Sequence, residues 1–197
     1  MTKLTLEDIA DLRAYERERD ALRRHVIALK RRRRVPLGDV VTLLFENRQT
    51  VRFQVQEVAR AERIISDAGI ETELAIYNPL VPEPGQLCAT LFVELTSREA
   101  LGEWLPRLLG IERSVALRLP GGELARAVVV DARDQHHTRD QVSASVHYLR
   151  WEMAAHQVER FAAGPVALIA DHVAYEAETW LPDDTRAELT TDLRHGG

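Results

Sequence analysis

Apolar positions spaced by three, four and seven residues predict a long amphipathic helix near the start of the chain. Acidic residues lie toward its start, and five consecutive basic residues, 30–34, lie at its end, where they complement the helix dipole. Pro36 and Gly38 follow, so we expect the basic run to form the last turn of this helix. The apolar stripe consists of Tyr15, Leu22, Val26 and Leu29.

The next two segments are predicted to form a strand and a second helix. Residues 39–45 are rich in β-branched and aromatic side chains, which is typical of a strand. The segment after them fits either a helix with one apolar stripe or a shorter hairpin strand. We favour the helix because it explains more positions and gives Asn47 the role of N-cap. Residues 67–69 are expected to end this helix, and residues 70–77 to form another short one.

The remainder of the chain is richer in strands, with Pro120-Gly121-Gly122 at the turn of a hairpin. We expect strands at 86–95, 114–119, 123–131, 142–151, 165–171 and 174–181, and helices at 97–109, 152–161 and from 182 onward. This order indicates an α+β fold, with a mainly antiparallel sheet and helices over one face. We expect a single domain over 1–197, in which 1–34 is a helical arm that packs on the body.

Composition indicates an ordinary folded protein, because 45% of the residues are hydrophobic and 29% are charged. Cys88 is the single cysteine, so an internal disulfide is excluded and a reducing cytoplasm is the expected location. The charged N-terminus lacks an apolar signal core, and no window approaches the roughly 18 apolar residues of a spanning helix. We therefore expect no membrane partner.

The net charge of −5 hides an asymmetry along the chain. Residues 10–34 contain ten basic and four acidic residues, a local charge of +6, which leaves −11 for the rest. The basic helix, residues 13–34, is therefore a candidate for nucleic-acid binding. Alternatively, its basic residues pair with the acidic body. The few aromatic residues of the helix and the acidic body favour the second interpretation.

Polar and charged side chains are dense at the start of the second helix, beside its apolar stripe. Arginine and carboxylate groups near a helix N-terminus suit a small anionic ligand or partner, in a binding protein or an enzyme. The alternative is a capped helix with a solvated face and an ion pair between Glu57 and Arg60. The candidate ligand-binding residues are Glu46, Asn47, Arg48, Gln54, Glu57, Arg60 and Tyr77.

Three residues in the predicted helix 152–161 form a weak metal-ligand pattern. Glu152, His156 and Glu159 are spaced by four and three residues, so they would share one helical face, and carboxylate with imidazole suits iron, manganese or zinc. The alternative is an ordinary polar face. His136-His137 is expected in an exposed loop, and Cys88, in an apolar strand, is expected to be a buried structural cysteine.

Common catalytic signatures are missing from the sequence. It contains no P-loop, no Gly-x-Gly-x-x-Gly, no Gly-x-Ser-x-Gly, no His-Glu-x-x-His and no Cys-x-x-Cys. An enzyme of a common class is therefore disfavoured, and the sequence identifies no cofactor.

Two segments resemble a known bacterial family, domain of unknown function 3501. They are TLLFENRQTVRFQVQEVARAERI at 42–64 and YNPLVPEPGQLCATLFVEL at 77–95. The basic run and Gly38 also match the family pattern, and VHYLRW at 146–151 matches it more loosely. Members are often encoded beside rubrerythrin-like di-iron proteins and iron–sulfur oxidoreductases. The resemblance therefore implies a non-catalytic accessory or interaction protein in oxidative-stress or iron metabolism, with such a protein as its partner.

Overall fold

The computed structural model describes residues 3–95, 97–130 and 143–197. The α-helices of these ranges are α1 (Leu12–Arg33), α2 (Arg48–Glu62), α3 (Asp67–Tyr77), α4 (Arg98–Arg107), α5 (Ala155–Ala163) and α6 (Asp183–His195). The strands are β1 (Arg34–Leu37), β2 (Val41–Glu46), β3 (Gln86–Val93), β4 (Val115–Arg118), β5 (Leu124–Arg126), β6 (Val128–Val129), β7 (Val146–Glu152), β8 (Ala167–His172) and β9 (Tyr175–Trp180). Short 3-10 turns occupy Leu6–Asp8, Asn78–Leu80 and Ile111–Arg113.

The strands form two antiparallel sheets, which confirms the α+β class. The larger sheet has the order β1-β2-β3-β7-β6, and the smaller has the order β5-β4-β8-β9. The segment predicted as one strand at 123–131 is divided, since β5 joins the smaller sheet and β6 joins the larger. The ends of the predicted strands at residues 131 and 142 lie outside the described residues. No helix in the described ranges is both long and apolar enough to cross a membrane.

The main core joins the two sheets through one face of the larger sheet. Alternate side chains of β2, β3 and β7 point to this face, as strand geometry requires. The ring centroids of Phe45 and Trp151 are 5.7 Å apart there. β4, β8 and α6 contribute the other side of the core. The larger sheet supplies Val41, Leu43, Phe45, Leu87, Ala89, Leu91, Val93, Leu149 and Trp151.

The opposite face of the larger sheet carries a second hydrophobic cluster, to which α2 and α3 contribute. Val51 and Val55 of α2 and Leu74 and Tyr77 of α3 pack in this cluster with Tyr148 of β7. This face also carries polar residues, because the alternate positions of β2 and β3 include Glu46 and Thr90. The face therefore combines an apolar cluster with buried polar side chains.

The basic run ends α1 and connects it to the body of the protein. The buried guanidinium group of Arg33 donates to the carbonyl oxygens of Phe45 at 2.9 Å and Glu46 at 3.1 Å. It also forms an ion pair with Asp192 of α6. Arg32 pairs with Glu188, and Arg34 pairs with Glu94. Helix α1 contacts α2, β2 and α6, so its basic end has acidic partners within the chain.

The N-terminus of α2 is confirmed and its predicted C-terminus is wrong. The Asn47 side chain accepts hydrogen bonds from the backbone N–H groups of Gln49 at 3.1 Å and Thr50 at 3.0 Å. The helix ends at Glu62, before residues 67–69. Asp67 starts α3 instead, because the Ser66 side chain accepts a hydrogen bond from the N–H group of Gly69 and caps the new helix.

Candidate functional site

A cavity of about 220 Å³ lies on the face of the larger sheet that α2 and α3 cover. Side chains of β2, β3 and β7 form its floor, and residues of α1, α2 and the α3 end complete its walls. It is lined by Lys30, Leu44, Glu46, Val51, Gln54, Tyr77, Leu80, Thr90, Phe92, Val146 and Tyr148.

The register of three neighbouring strands brings the floor residues together. Leu44 of β2 lies opposite Thr90 of β3, which lies opposite Tyr148 of β7. Phe92 and Val146 form the next pair on the same face, two residues further along. This arrangement depends on pairing between segments far apart in sequence.

Glu46 supplies a buried carboxyl group to this cavity, with 8% of the residue exposed. The Thr90 hydroxyl donates to its Oε1 at 2.6 Å, and the Thr50 hydroxyl donates to its Oε2. Because a carboxylate has about four lone-pair positions, these two hydrogen bonds leave it able to accept more. Among the residues that the structure describes, none forms an ion pair with Glu46.

Aromatic and aliphatic side chains surround this carboxyl group. Tyr77, Phe92 and Tyr148 supply aromatic rings, and the remaining apolar lining is aliphatic. A cavity of about 150 Å³ accommodates benzene, so the volume here suits one ring with a short substituent. Apolar walls with a few placed polar groups are typical of small-molecule sites.

Two polar residues mark the more exposed side of the cavity. Gln54 is exposed on α2, and Lys30 is half-buried in the last turns of α1. The Lys30 ammonium nitrogen lies 5.8 Å from the centroid of the Phe53 ring. The cavity therefore has a buried carboxyl group and a more accessible ammonium group.

The structure places three of the seven predicted ligand-binding residues in this cavity, namely Glu46, Gln54 and Tyr77. Asn47 is the N-cap of α2. The other three residues contact α1 or the segment before it. Arg48 contacts Asp8 at 2.7 Å, Glu57 contacts Arg19 at 2.8 Å, and Arg60 contacts Glu16 at 2.5 Å.

Glu57 is the centre of the contact between α1 and α2. It also accepts a hydrogen bond from the hydroxyl group of buried Tyr15 at 2.6 Å. The hydrogen bond from Arg19 is the main cause that lowers the pKa of Glu57 to about 2, with Tyr15 adding to it. Gln56 contributes nearby, because its side-chain amide pairs with the backbone of Ala10 at 2.9 and 3.0 Å. These polar residues hold α1 and its preceding segment on α2.

The predicted metal pattern does not lie on one helical face. Glu152 is the last residue of β7, because strand pairing with Gln86 continues through it, and it forms an ion pair with Arg150 at 3.1 Å. The premise that Glu152 shares a helix with the other two residues is therefore wrong. His156 contacts Glu123 at 3.2 Å, and Glu159 contacts Arg194 at 3.5 Å.

The cysteine and the histidine pair considered from the sequence give no alternative site in the described ranges. Those ranges contain no group of three His, Cys, Asp or Glu residues arranged to hold a metal ion. His136 and His137 lie outside them. Cys88 is 1% exposed, and its burial raises the pKa of the thiol to about 12, which is unsuited to a reactive thiolate.

Comparison with known proteins identifies the family. The family model described as "Protein of unknown function (DUF3501)" matches residues 3–193. This chain belongs to the DUF3501 family. It is also similar to the crystal structure of a novel protein of unknown function from Burkholderia pseudomallei, with 34% sequence identity and a TM-score of 0.88. That similarity covers 98% of this chain and 100% of the other. No curated protein matches.

Several cavity residues of this DUF3501 protein were not predicted from its sequence. They are Lys30, Thr90, Phe92 and Tyr148. Thr50, which donates to Glu46 from outside the lining, was not predicted either. A signal for two of them was present in β3, where Thr90 interrupts an apolar strand and Phe92 follows at the same-face spacing of two residues. Lys30 carried no comparable signal, because its position in the basic run is no different from that of its neighbours.

A larger depression of this DUF3501 protein lies beside its N-terminal segment, with a volume of about 340 Å³. Aliphatic side chains form most of its lining, and its charged residues, Asp11, Arg13 and Asp67, are exposed. It therefore lacks a buried polar group that would orient a ligand, and the smaller cavity at Glu46 is the candidate site.

Proposed function

We propose that this protein binds a small organic amine in the cavity, with the Glu46 carboxyl group receiving the ligand's ammonium group. The observation that supports this function is the buried position of Glu46 without an ion-pair partner among the described residues. The Thr50 and Thr90 hydroxyl groups orient its two oxygens from α2 and β3. A fixed acceptor at the base of an apolar cavity is suited to select a donor.

Electrostatics favours a cationic donor. Removing a carboxylate from water without a counter-ion is costly, and an ammonium group supplies both the opposite charge and up to three donors. Aromatic faces also attract organic cations, by about 0.5–2 kcal/mol per contact. Tyr77, Phe92 and Tyr148 line the same cavity, and the Arg34 guanidinium carbon already lies 5.3 Å from the centroid of the Phe92 ring. The carboxyl group and the aromatic rings therefore favour the same class of ligand.

The anionic ligand considered from the sequence fits this cavity less well. Arg48 and Arg60, which were expected to bind an anion, pair instead with Asp8 and Glu16. Neither arginine lines the cavity, whereas Glu46 does. An anion near the Glu46 carboxylate would be repelled.

Partners and cellular role stay predictions. The family resemblance implies an accessory role in oxidative-stress or iron metabolism beside a rubrerythrin-like or iron–sulfur protein, and binding of an amine is compatible with such a role. Nucleic-acid binding through residues 13–34 is less favoured, because Arg32, Arg33 and Arg34 have acidic partners within the chain. Cytoplasmic location is likewise an expectation.

Thermal unfolding with matched probes tests the proposal. Benzylamine supplies one ring and one ammonium group, and benzyl alcohol is its uncharged counterpart. At a concentration a hundredfold above its dissociation constant, benzylamine is expected to add about 2.7 kcal/mol to the free energy of unfolding, or about 5–10 °C in Tm. Benzyl alcohol is expected to add far less.

Two variants assign the effect to the cavity. Glu46→Gln keeps the side-chain shape and removes the charge, so benzylamine is expected to lose most of its effect. Glu103→Gln, at an exposed carboxyl group of α4, is the matched control and should respond as the unmodified protein does. Equal stabilisation of both variants, or no stabilisation of the unmodified protein by benzylamine at any concentration, would contradict the proposal.

A further inference from the structure

The cavity contains a second charged group whose sign is opposite to that of Glu46. Lys30 lines the cavity from α1, and within the described part of the chain its ammonium group forms no ion pair. This separates it from Arg32, Arg33 and Arg34 of the same basic run, which all pair with acidic residues. Two charges of opposite sign therefore line one cavity without pairing with each other.

Resting on the amine-binding function proposed above, we infer that the ligand is a zwitterion. Its ammonium group binds Glu46, and an anionic group, such as a carboxylate, binds Lys30. Lys30 is more exposed than Glu46, so the anionic group lies nearer to solvent and the ammonium group lies deeper. An apolar body joins the two groups.

Gln54 supports an anion at the exposed side. It lines the same cavity as Lys30, and it makes no hydrogen bond with the rest of the described structure. Its side-chain amide presents two N–H donors, which complement a carboxylate. An ammonium group and an amide in one cavity can provide both charge and directional hydrogen bonds to a carboxylate.

The pairing of β2, β3 and β7 places apolar side chains along the floor of the cavity. Glu46 lies opposite Cys88 on β3, and Phe92 is four residues further along the same face. Leu44 and Tyr148 lie between them on the same face. These side chains give the apolar body of such a ligand a surface to lie on.

Binding of two amino-acid probes tests the inference. We would measure the affinities of 3- and 4-(aminomethyl)benzoate, which add a carboxylate to benzylamine at two spacings, by isothermal titration calorimetry. At least one isomer is expected to bind about three- to five-fold more tightly than benzylamine, as one accessible ion pair allows. Benzoate alone should bind weakly.

Variants of the basic run assign that gain to one residue. Lys30→Met is expected to remove the advantage of the aminomethylbenzoate over benzylamine, so the ratio of the two affinities, measured in the same variant, is the quantity compared. Arg31→Met, at the exposed neighbouring position, is expected to retain the advantage. The thermal unfolding of both variants without ligand shows whether either has lost its fold.

The results distinguish a failure of the zwitterion inference from a failure of the proposed amine binding. If benzylamine binds through Glu46 but neither isomer binds more tightly, or if the gain persists in Lys30→Met, the zwitterion inference is overturned and amine binding stands. If none of these probes binds, the proposed function itself is contradicted.

Discussion

Arg33 and Asp192, which are 159 positions apart in the chain, form a buried ion pair between the end of α1 and α6. Burial raises the pKa of Asp192, and the neighbouring Arg33 guanidinium opposes that shift. The same guanidinium group binds the carbonyl oxygens that end β2. One residue of the basic run thus connects three elements of the fold.

Arg33→Ala is expected to lower the free energy of unfolding by about 3–5 kcal/mol, because it leaves the Asp192 carboxyl group buried without its partner. Arg31→Ala, at an exposed position in the same run, is the control and should change stability by no more than about 0.5 kcal/mol. Urea unfolding of both variants measures the difference. Equal losses of stability in the two variants would contradict the specific role of Arg33 as the partner of Asp192.

Gly38 and Tyr175 connect the two sheets at close range. The Tyr175 hydroxyl donates to the Leu37 carbonyl oxygen at 2.5 Å and accepts from the Val40 N–H group at 3.2 Å. Gly38 has a φ of 68°, and a Cβ atom there would overlap with the same hydroxyl group. Gly38→Ala is therefore expected to cost about 1–3 kcal/mol from backbone strain, plus the cost of this overlap.

A double-mutant cycle with Tyr175→Phe separates these two costs. Removing the hydroxyl group should destabilise the unmodified protein, yet it should cost less or even stabilise in the Gly38→Ala background. We expect a coupling free energy of about 0.5–3 kcal/mol from urea unfolding of the four proteins. Additive effects would mean that the hydroxyl group does not restrict this position.

His147 makes stability depend on pH near neutrality. It is 2% exposed, and burial lowers its pKa from 6.5, while the Glu112 carboxyl group at 3.8 Å opposes that shift. The unfolded chain therefore binds the proton more readily than the folded protein. Stability should be complete above about pH 6.5 and should fall as the pH decreases below it, by at most about 1.4 kcal/mol per pH unit.

His147→Asn provides the control, because it removes the titrating ring and keeps a polar side chain. Urea unfolding from pH 7.5 to pH 5 should show a smaller decrease for this variant than for the unmodified protein. The same decrease in both would assign the effect to other groups.

Glu57 should control acid stability where α1 meets α2. Its folded pKa of about 2 is below the ordinary value of 4.5, so its contribution is present above about pH 4.5 and is lost as the pH falls toward 2. Glu57→Gln is expected to cost about 1.5–3 kcal/mol at pH 7 and to make the acid transition shallower. Unfolding followed by circular dichroism from pH 7 to pH 3 measures both; an unchanged acid transition would contradict this role.

Patterns of neighbouring residues in the sequence were sufficient to predict several helices and strands. The apolar stripe of α1, the Asn47 cap and the apolar strand β3 were predicted because each depends on residues close together in the chain. The start of α3 was missed because the capping role of Ser66 was not recognised. Glu152 was assigned to a helix because strand pairing with Gln86 is not visible in one sequence.

The candidate site was only partly predictable for the same reason. Glu46 and Gln54 lie in the segment 46–62, whose density of polar residues is unusual, and together with Tyr77 of α3 they line the cavity. Thr90 and Tyr148 enter it through the register of three strands, which is a long-range property. The arginines of the polar cluster looked suited to a ligand, but their acidic partners are supplied by α1 and the segment before it.

The crystal structure of the protein with benzylamine tests the central claim most directly. The probe is expected in the cavity, with its nitrogen about 2.7–3.2 Å from a carboxyl oxygen of Glu46 and its ring against Phe92, Tyr77 or Tyr148. The claim is contradicted if benzylamine, at a concentration that raises Tm, binds elsewhere on the protein and the Glu46 carboxyl group contacts only Thr50 and Thr90.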